Sequence, residues 1–272
     1  MQKVLNGKAL AEYIKERQGR QARALFQADG VQPKLAIVLT GENPVIQTYV
    51  GLKKRYGADI GVEVDIHHIK QADAKKVITQ LNKDAAVHAI IVQLPLEDTS
   101  QTEEIVNLVD PHKDVDGLGA EPQVDPATPM AIMWLLAGYN VELRDKKILL
   151  VGRGKLVGAP LERMLKKSGL NVEMIGRVDD LKARTLQADV IITATGSAGL
   201  IKADMVKPGA VVVDAGTASE GGKTVGDVAP DLLERDDITI TPAKGGVGPL
   251  TVCALFENVL RAARPTQQSS PK

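Results

Sequence analysis

Short apolar runs alternate with longer amphipathic stretches along the chain. Lys8 to Leu25, rich in Ala, Arg and Glu, reads as an amphipathic helix. Lys34 to Leu39 is a continuous apolar run, the pattern of a parallel strand covered on both faces. Gln47 to Ile60 reads as a helix stopped by Gly61, and Val62 to Ile69 alternates like a strand. Asp73 to Asp84 predicts a helix with Asp73 as its N-cap. Ala89 to Leu94 is a second buried strand, ended by Pro95. This β-α-β order implies a parallel sheet with right-handed crossovers. Residues 110–129, rich in Asp, Gly and Pro, read as a loop and domain linker. Thr128-Pro129 then caps a helix that ends near Gly138.

A second α/β unit follows. Lys147 to Val151 is a strand, followed by a glycine loop and a helix to Ser168. Further strands fall at Asn171 to Ile175, Ala188 to Ala194 and Ala210 to Asp214. Ile238-Thr239-Ile240 precedes a second glycine loop, Gly245 to Pro249, and Thr251 to Ala263 is the final helix. The polar tail after Pro265 reads as disordered.

Composition narrows the partners. A length of 272 residues suits two domains, and aromatics at 3% leave the core to aliphatic side chains. Lys+Arg and Asp+Glu both total 34, so bulk attraction to nucleic acid or an anionic membrane is not expected. The single cysteine, Cys253, excludes an internal disulfide and a cysteine-based zinc site. His67, His68, His88 and His112 lack metal-motif spacing, and His67-His68 reads as an exposed strand pair; no metal is expected. Neither a signal peptide nor a membrane span is read from the chain, which gives a cytoplasmic expectation.

Gly152-Arg153-Gly154-Lys155-Leu156-Val157-Gly158 lies between a predicted strand and a predicted helix, the context of a dinucleotide phosphate loop. Gly152 allows the tight turn, Gly154 lets the backbone approach a pyrophosphate, and Gly158 permits close helix packing. Arg177 is the first charge after the second strand, where an acidic residue would mark NAD, and Arg153 sits in the loop, so two guanidiniums favour the 2′-phosphate of NADP. The competing reading leaves Arg177 solvated and makes Asp179 or Asp180 the ribose ligand of NAD.

Tyr49 and Lys53 are four apart on one predicted helix and share a face. Gln93 ends a buried strand, where parallel sheets place functional groups, and Asp116 lies in Asp114-Val115-Asp116-Gly117. A lysine held by a glutamine and a tyrosine hydroxyl could titrate low enough for acid–base work. Singly, each has a plainer reading: Lys53 solvated beside Lys54 and Arg55, Tyr49 in the core, Gln93 capping the sheet edge, Asp116 stabilising a turn.

Together, Tyr49-Val50-Gly51-Leu52-Lys53, Val92-Gln93-Leu94-Pro95-Leu96, Asp114-Val115-Asp116-Gly117 and the run from Pro242 to Thr251 resemble the bifunctional methylenetetrahydrofolate dehydrogenase/cyclohydrolase family. The likeness extends in order from about Leu5 to Ala263. It implies an α/β fold of two α/β domains. The N-terminal catalytic domain has a parallel sheet and covers residues 1–125, completed by a helix over 251–264. A Rossmann NAD(P)-binding domain covers 126–250, a cleft lies between the domains, and 265–272 form a disordered tail.

The resemblance makes Lys53 the catalytic lysine, Gln93 its orienting partner, Tyr49 a lining of the folate site, and Asp116 the acceptor for the pterin ring. Leu94, Pro95, Gly245, Gly246 and Pro249 fall beside the folate. Gly152, Arg153, Gly154, Val157, Gly158, Arg177, Thr195, Gly196 and Thr217 fall on the cofactor side. The implied ligands are NADP, with NAD less favoured, and a tetrahydrofolate derivative; the implied assembly is a homodimer. The chain has Ile46 where the family has serine, Gly154 where it has serine, Gly176 where it has histidine, and Gly216-Thr217-Ala218 for Gly-Ile-Asn. A shikimate-type NADP dehydrogenase and a folate- or nucleotide-binding paralogue with reduced dehydrogenase activity are the alternatives. Lys54 and Arg55 are candidates for the glutamyl tail.

Overall fold

A computed structural model of the chain describes residues 3–41, 44–176, 180–220 and 223–265. The chain divides into two compact units. Among the described residues, one comprises Tyr13–Asp125 with 255–265, and the other comprises 3–12 with Pro126–Ala254.

The first unit is built on three parallel strands in the order Glu63–His68, Lys34–Leu39, Ala89–Val92. Lys34–Leu39 is central, and every residue after Lys34 is buried, as its unbroken apolar run requires. Ala36, Val38, Ile90 and Val92 pack against Ala74, Ile78 and Leu81 of the helix Ala74–Lys83, and against Ile105 and Val106 of the short helix Thr102–Val106. The helix Pro44–Ile60 connects the central strand to Glu63–His68. Tyr56 on that helix packs on Phe256 with ring centroids 5.0 Å apart, and its hydroxyl donates to Gln18, which is fully buried.

The second unit holds six parallel strands in the order Lys3–Val4, Thr239–Ile240, Val211–Asp214, Val190–Thr193, Ile148–Val151, Val172–Ile175. Chain order reverses between Ile148–Val151 and Val190–Thr193. The loops that leave the carboxyl ends of these two strands therefore flank a topological switch point, where open α/β sheets bind ligands.

Several boundaries differ from the sequence expectation. Residues 3–12 group with the second unit rather than with residues 13–125, because Lys3–Val4 adds an edge strand beside Thr239–Ile240. Asp73 occupies the N-cap position of Ala74–Lys83, but its side chain makes no capping hydrogen bond: the helix continues from a 3-10 turn, Gln71–Asp73. Thr128 is not a cap either, since that helix runs Ala127–Gly138 with Pro126 before it. The final helix is Val247–Ala262, starting inside the second glycine loop. A hairpin of Ala218–Glu220 with Lys223–Val225 had no pattern to announce it. His67 is half-buried rather than exposed, with a buried Nε2. The expected disordered tail lies outside the described residues beyond Pro265.

Candidate active site

In the first unit, the carboxyl end of Ala89–Val92 delivers Gln93 to Lys53. Lys53 Nζ donates to Gln93 Oε1 at 2.9 Å. The glutamine is held twice more: its backbone N–H donates to Val38 O, and its Nε2 donates to Leu94 O at 2.9 Å. These contacts fix the amide orientation. Flipping it would set Oε1 against a carbonyl and Nε2 against an ammonium, leaving both groups without a usable partner. The peptide Leu94-Pro95 is cis.

Burial pushes the Lys53 ammonium down from the ordinary lysine range, and the Asp116 carboxylate opposes that shift. Burial likewise pushes Asp116 up, against the field of Lys53, while nearby Asp114 adds to the rise. Both groups are thus displaced toward their neutral forms. Burial therefore favours release of the Lys53 proton, and the hydrogen bond to Gln93 fixes where Nζ would act as a base. Tyr49 lies one turn before Lys53 on Pro44–Ile60 and is 40% exposed.

Two residues that sequence reasoning missed shape the loop carrying Asp116. Asp114 is buried, and its carboxylate accepts from the N–H groups of Gly117 at 2.9 Å and Gly119 at 2.8 Å. Asn258, 2% exposed, donates from Nδ2 to Val115 O and to Asp125 O, each at 3.0 Å. A polar residue on the apolar stripe of a helix, with Ala254 and Leu255 beside it, was the available signal.

In the second unit, Gly152 has φ +118°, and a Cβ there would strike the Ala194 carbonyl. A Cβ on Gly158 would overlap the Gly152 carbonyl. Gly154 differs: a Cβ there would meet nothing within 4 Å. Packing within the chain therefore does not require glycine at 154, and the role read from the motif concerns the approach of a pyrophosphate instead. The Gly154 carbonyl accepts the Ala159 N–H at 3.1 Å and folds the loop onto the helix Gly158–Lys167, with Val157 at the N-cap position. Arg153 reaches the adjacent strand end, where its guanidinium donates to Met174 O at 3.2 Å and packs beside Gly176. Arg177 and Asp179 lie outside the described residues.

Thr195, Gly196 and Thr217 meet at the same switch point, the Thr217 carbonyl lying against Gly196. Their loops hang on two carboxylates that the sequence left without a role. Asp227 is fully buried and accepts from Thr193 Oγ1 at 2.6 Å, Thr195 N at 2.7 Å and Ser197 N at 2.9 Å. Asp214 accepts from the N–H groups of Gly216, Asp227 and Val228, and burial still holds it above the usual carboxylate range. The second glycine loop packs on the chain's first helix: the Lys8 N–H donates to Gly245 O at 2.9 Å, and Gly7 touches Gly246.

Two family models together match nearly the whole chain. The tetrahydrofolate dehydrogenase/cyclohydrolase catalytic domain matches residues 5–116, and the family's NAD(P)-binding domain matches residues 126–267. The bifunctional protein FolD of Campylobacter jejuni is 37% identical over 277 residues, covering 96% of this chain and 98% of the relative. The FolD protein of Polaromonas naphthalenivorans is 38% identical at the same coverage. Among solved structures, the Campylobacter jejuni bifunctional enzyme aligns with TM-score 0.90 at 36% identity, over 97% of this chain and 99% of that one. The Trypanosoma brucei dehydrogenase-cyclohydrolase, complexed with NADP and inhibitor, aligns with TM-score 0.90 at 29% identity, over 96% and 97%. Shikimate 5-dehydrogenase from Listeria monocytogenes reaches TM-score 0.53 at 13% identity, a likeness of fold alone, so the shikimate-type alternative is not favoured. With both domains matched and full-length relatives above 30% identity, the chain belongs to the tetrahydrofolate dehydrogenase/cyclohydrolase family.

Proposed function

We propose that this enzyme oxidises 5,10-methylenetetrahydrofolate to 5,10-methenyltetrahydrofolate with NADP⁺ and then hydrolyses the product to 10-formyltetrahydrofolate. The observation that carries this reading is the 2.9 Å hydrogen bond from Lys53 to a Gln93 amide locked by its own backbone contacts. NADP⁺ supplies a hydride acceptor. The loop from Gly152 to Gly158, with the start of Gly158–Lys167, suits its pyrophosphate, and Thr195, Gly196 and Thr217 suit the rest of it. Arg153, exposed beside the end of Val172–Ile175, suits its 2′-phosphate.

The chain's own residues act on the folate. Asp116 accepts the paired N–H groups of the pterin edge. Tyr49, Leu94 and Pro95 line the ring. Oxidation leaves an electrophilic methenyl carbon between N5 and N10. Water adds its oxygen there while neutral Lys53 takes the proton. The carbon–N5 bond then breaks, its electron pair goes to N5, protonated Lys53 returns its proton to N5, the hydroxyl proton is lost to solvent as the C=O forms, and the formyl group stays on N10. Gln93 holds Nζ so that its lone pair is aimed rather than free to rotate. Lys54 and Arg55, both exposed, suit the acidic glutamyl tail. The enzyme works as a homodimer in the cytoplasm; light scattering giving a monomer mass at assay concentration would contradict the dimer.

The test supplies methylenetetrahydrofolate with NADP⁺ or NAD⁺ and follows reduced nicotinamide and methenyl absorbance. Turnover with preference for NADP⁺ is expected. No turnover with either cofactor would overturn the reading in favour of a binding paralogue.

A further inference from the structure

Asn258 sits one residue from the reacting constellation without belonging to it. Its side chain is 2% exposed, and its amide nitrogen donates to two backbone carbonyls, Val115 and Asp125, each at 3.0 Å. The pair joins both ends of one loop. Val115 immediately precedes Asp116, and Asp125 is the last residue of that segment of the unit. From within, Asp114 closes the same loop on the N–H groups of Gly117 and Gly119. The loop is thus fixed by two buried side chains, one from its own backbone and one from the final helix. We infer that Asn258 is a positioning residue for the cyclohydrolase step, holding Asp116 at its working distance from Lys53 through the Val115 carbonyl.

The inference rests on the folate reading above and extends it to a residue outside the site motifs. Its consequence follows from charge. Among the described residues, Asp116 bears on Lys53, while Lys53 and Asp114 bear on Asp116. If the loop relaxes, Asp116 draws back and Lys53 loses the field that favours its ammonium. Lys53 then becomes a free base at lower pH. Buried carbonyls left without a donor supply the force for that relaxation.

The experiment measures hydrolysis of methenyltetrahydrofolate against pH for the full-length parent, Asn258→Ala, Asp116→Asn and the double variant. A melting curve accompanies each. Asn258→Ala is expected to raise KM by about tenfold, because the Val115 carbonyl beside Asp116, the proposed pterin acceptor, is no longer held. It should also move the ascending limb of the pH profile toward lower pH. The double variant should show the Asp116→Asn profile with no further displacement, since both changes act through one carboxylate. Val259→Ala, a buried truncation next in the chain, should lower the melting temperature without moving the limb. If Asn258→Ala does not fold, Asn258→Leu, which fills a similar volume without a donor, takes its place with the same outcomes. An unmoved limb in an active, folded variant, or additive shifts in the double variant, would overturn the role of Asn258 alone. A parent with no hydrolysis would instead overturn the folate reading and this inference with it.

Discussion

Lys53 balances two influences: burial, which disfavours its charge, and Asp116, which favours it. Asp116→Asn removes the second. The lysine then deprotonates more readily, so the ascending limb of cyclohydrolase activity moves to lower pH; movement to higher pH would contradict the assigned coupling. On the proposed reading the same change also replaces an acceptor oxygen for the pterin and should raise KM for folate by roughly ten- to a hundredfold. Gln93→Leu leaves Nζ without its aimed acceptor and should lower the hydrolysis rate by about tenfold or more, while melting changes little. Lys53, Gln93 and Asp116 were legible because their types and order form motifs. Asn258 and Asp227 were not, because a buried amide or carboxylate is defined by backbone groups far away in sequence: Asn258 reaches Val115, and Asp227 reaches Thr195.

At the scale of elements, the glycine loop separates residues that the motif treats alike. Gly158→Ala drives a methyl into the Gly152 carbonyl, so the strand–loop–helix turn must open. A loss of about 2–3 kcal/mol in stability and loss of dinucleotide binding are expected, checked by denaturation and cofactor titration. Gly154→Ser meets open space and should leave stability within about 0.5 kcal/mol of the parent, with cofactor binding retained. If Gly154→Ser proves as damaging as Gly158→Ala, the loop geometry described here is wrong. Apolar strands such as Lys34–Leu39 and Ile148–Val151 could be read directly, since burial on both faces leaves continuous hydrophobic runs. Lys3–Val4 could not: two residues carry no period, and only Thr239–Ile240 beside them makes a strand.

For the whole molecule, one chain is proposed to carry two consecutive reactions, with Lys53 needed for the second. The α/β class and both domains were readable because β-α-β alternation persists through each of them, whereas the grouping of residues 3–12 depends on pairing across more than two hundred residues. The most direct measurement follows one progress curve of methylenetetrahydrofolate and NADP⁺ with the parent and with Lys53→Met, recording reduced nicotinamide and the methenyl product together. In the parent, nicotinamide reduction should proceed with little methenyl build-up. In Lys53→Met, the methenyl product should accumulate as hydrolysis falls by roughly a hundredfold or more. Equal methenyl clearance by parent and variant would contradict the role of Lys53 as the base of hydrolysis.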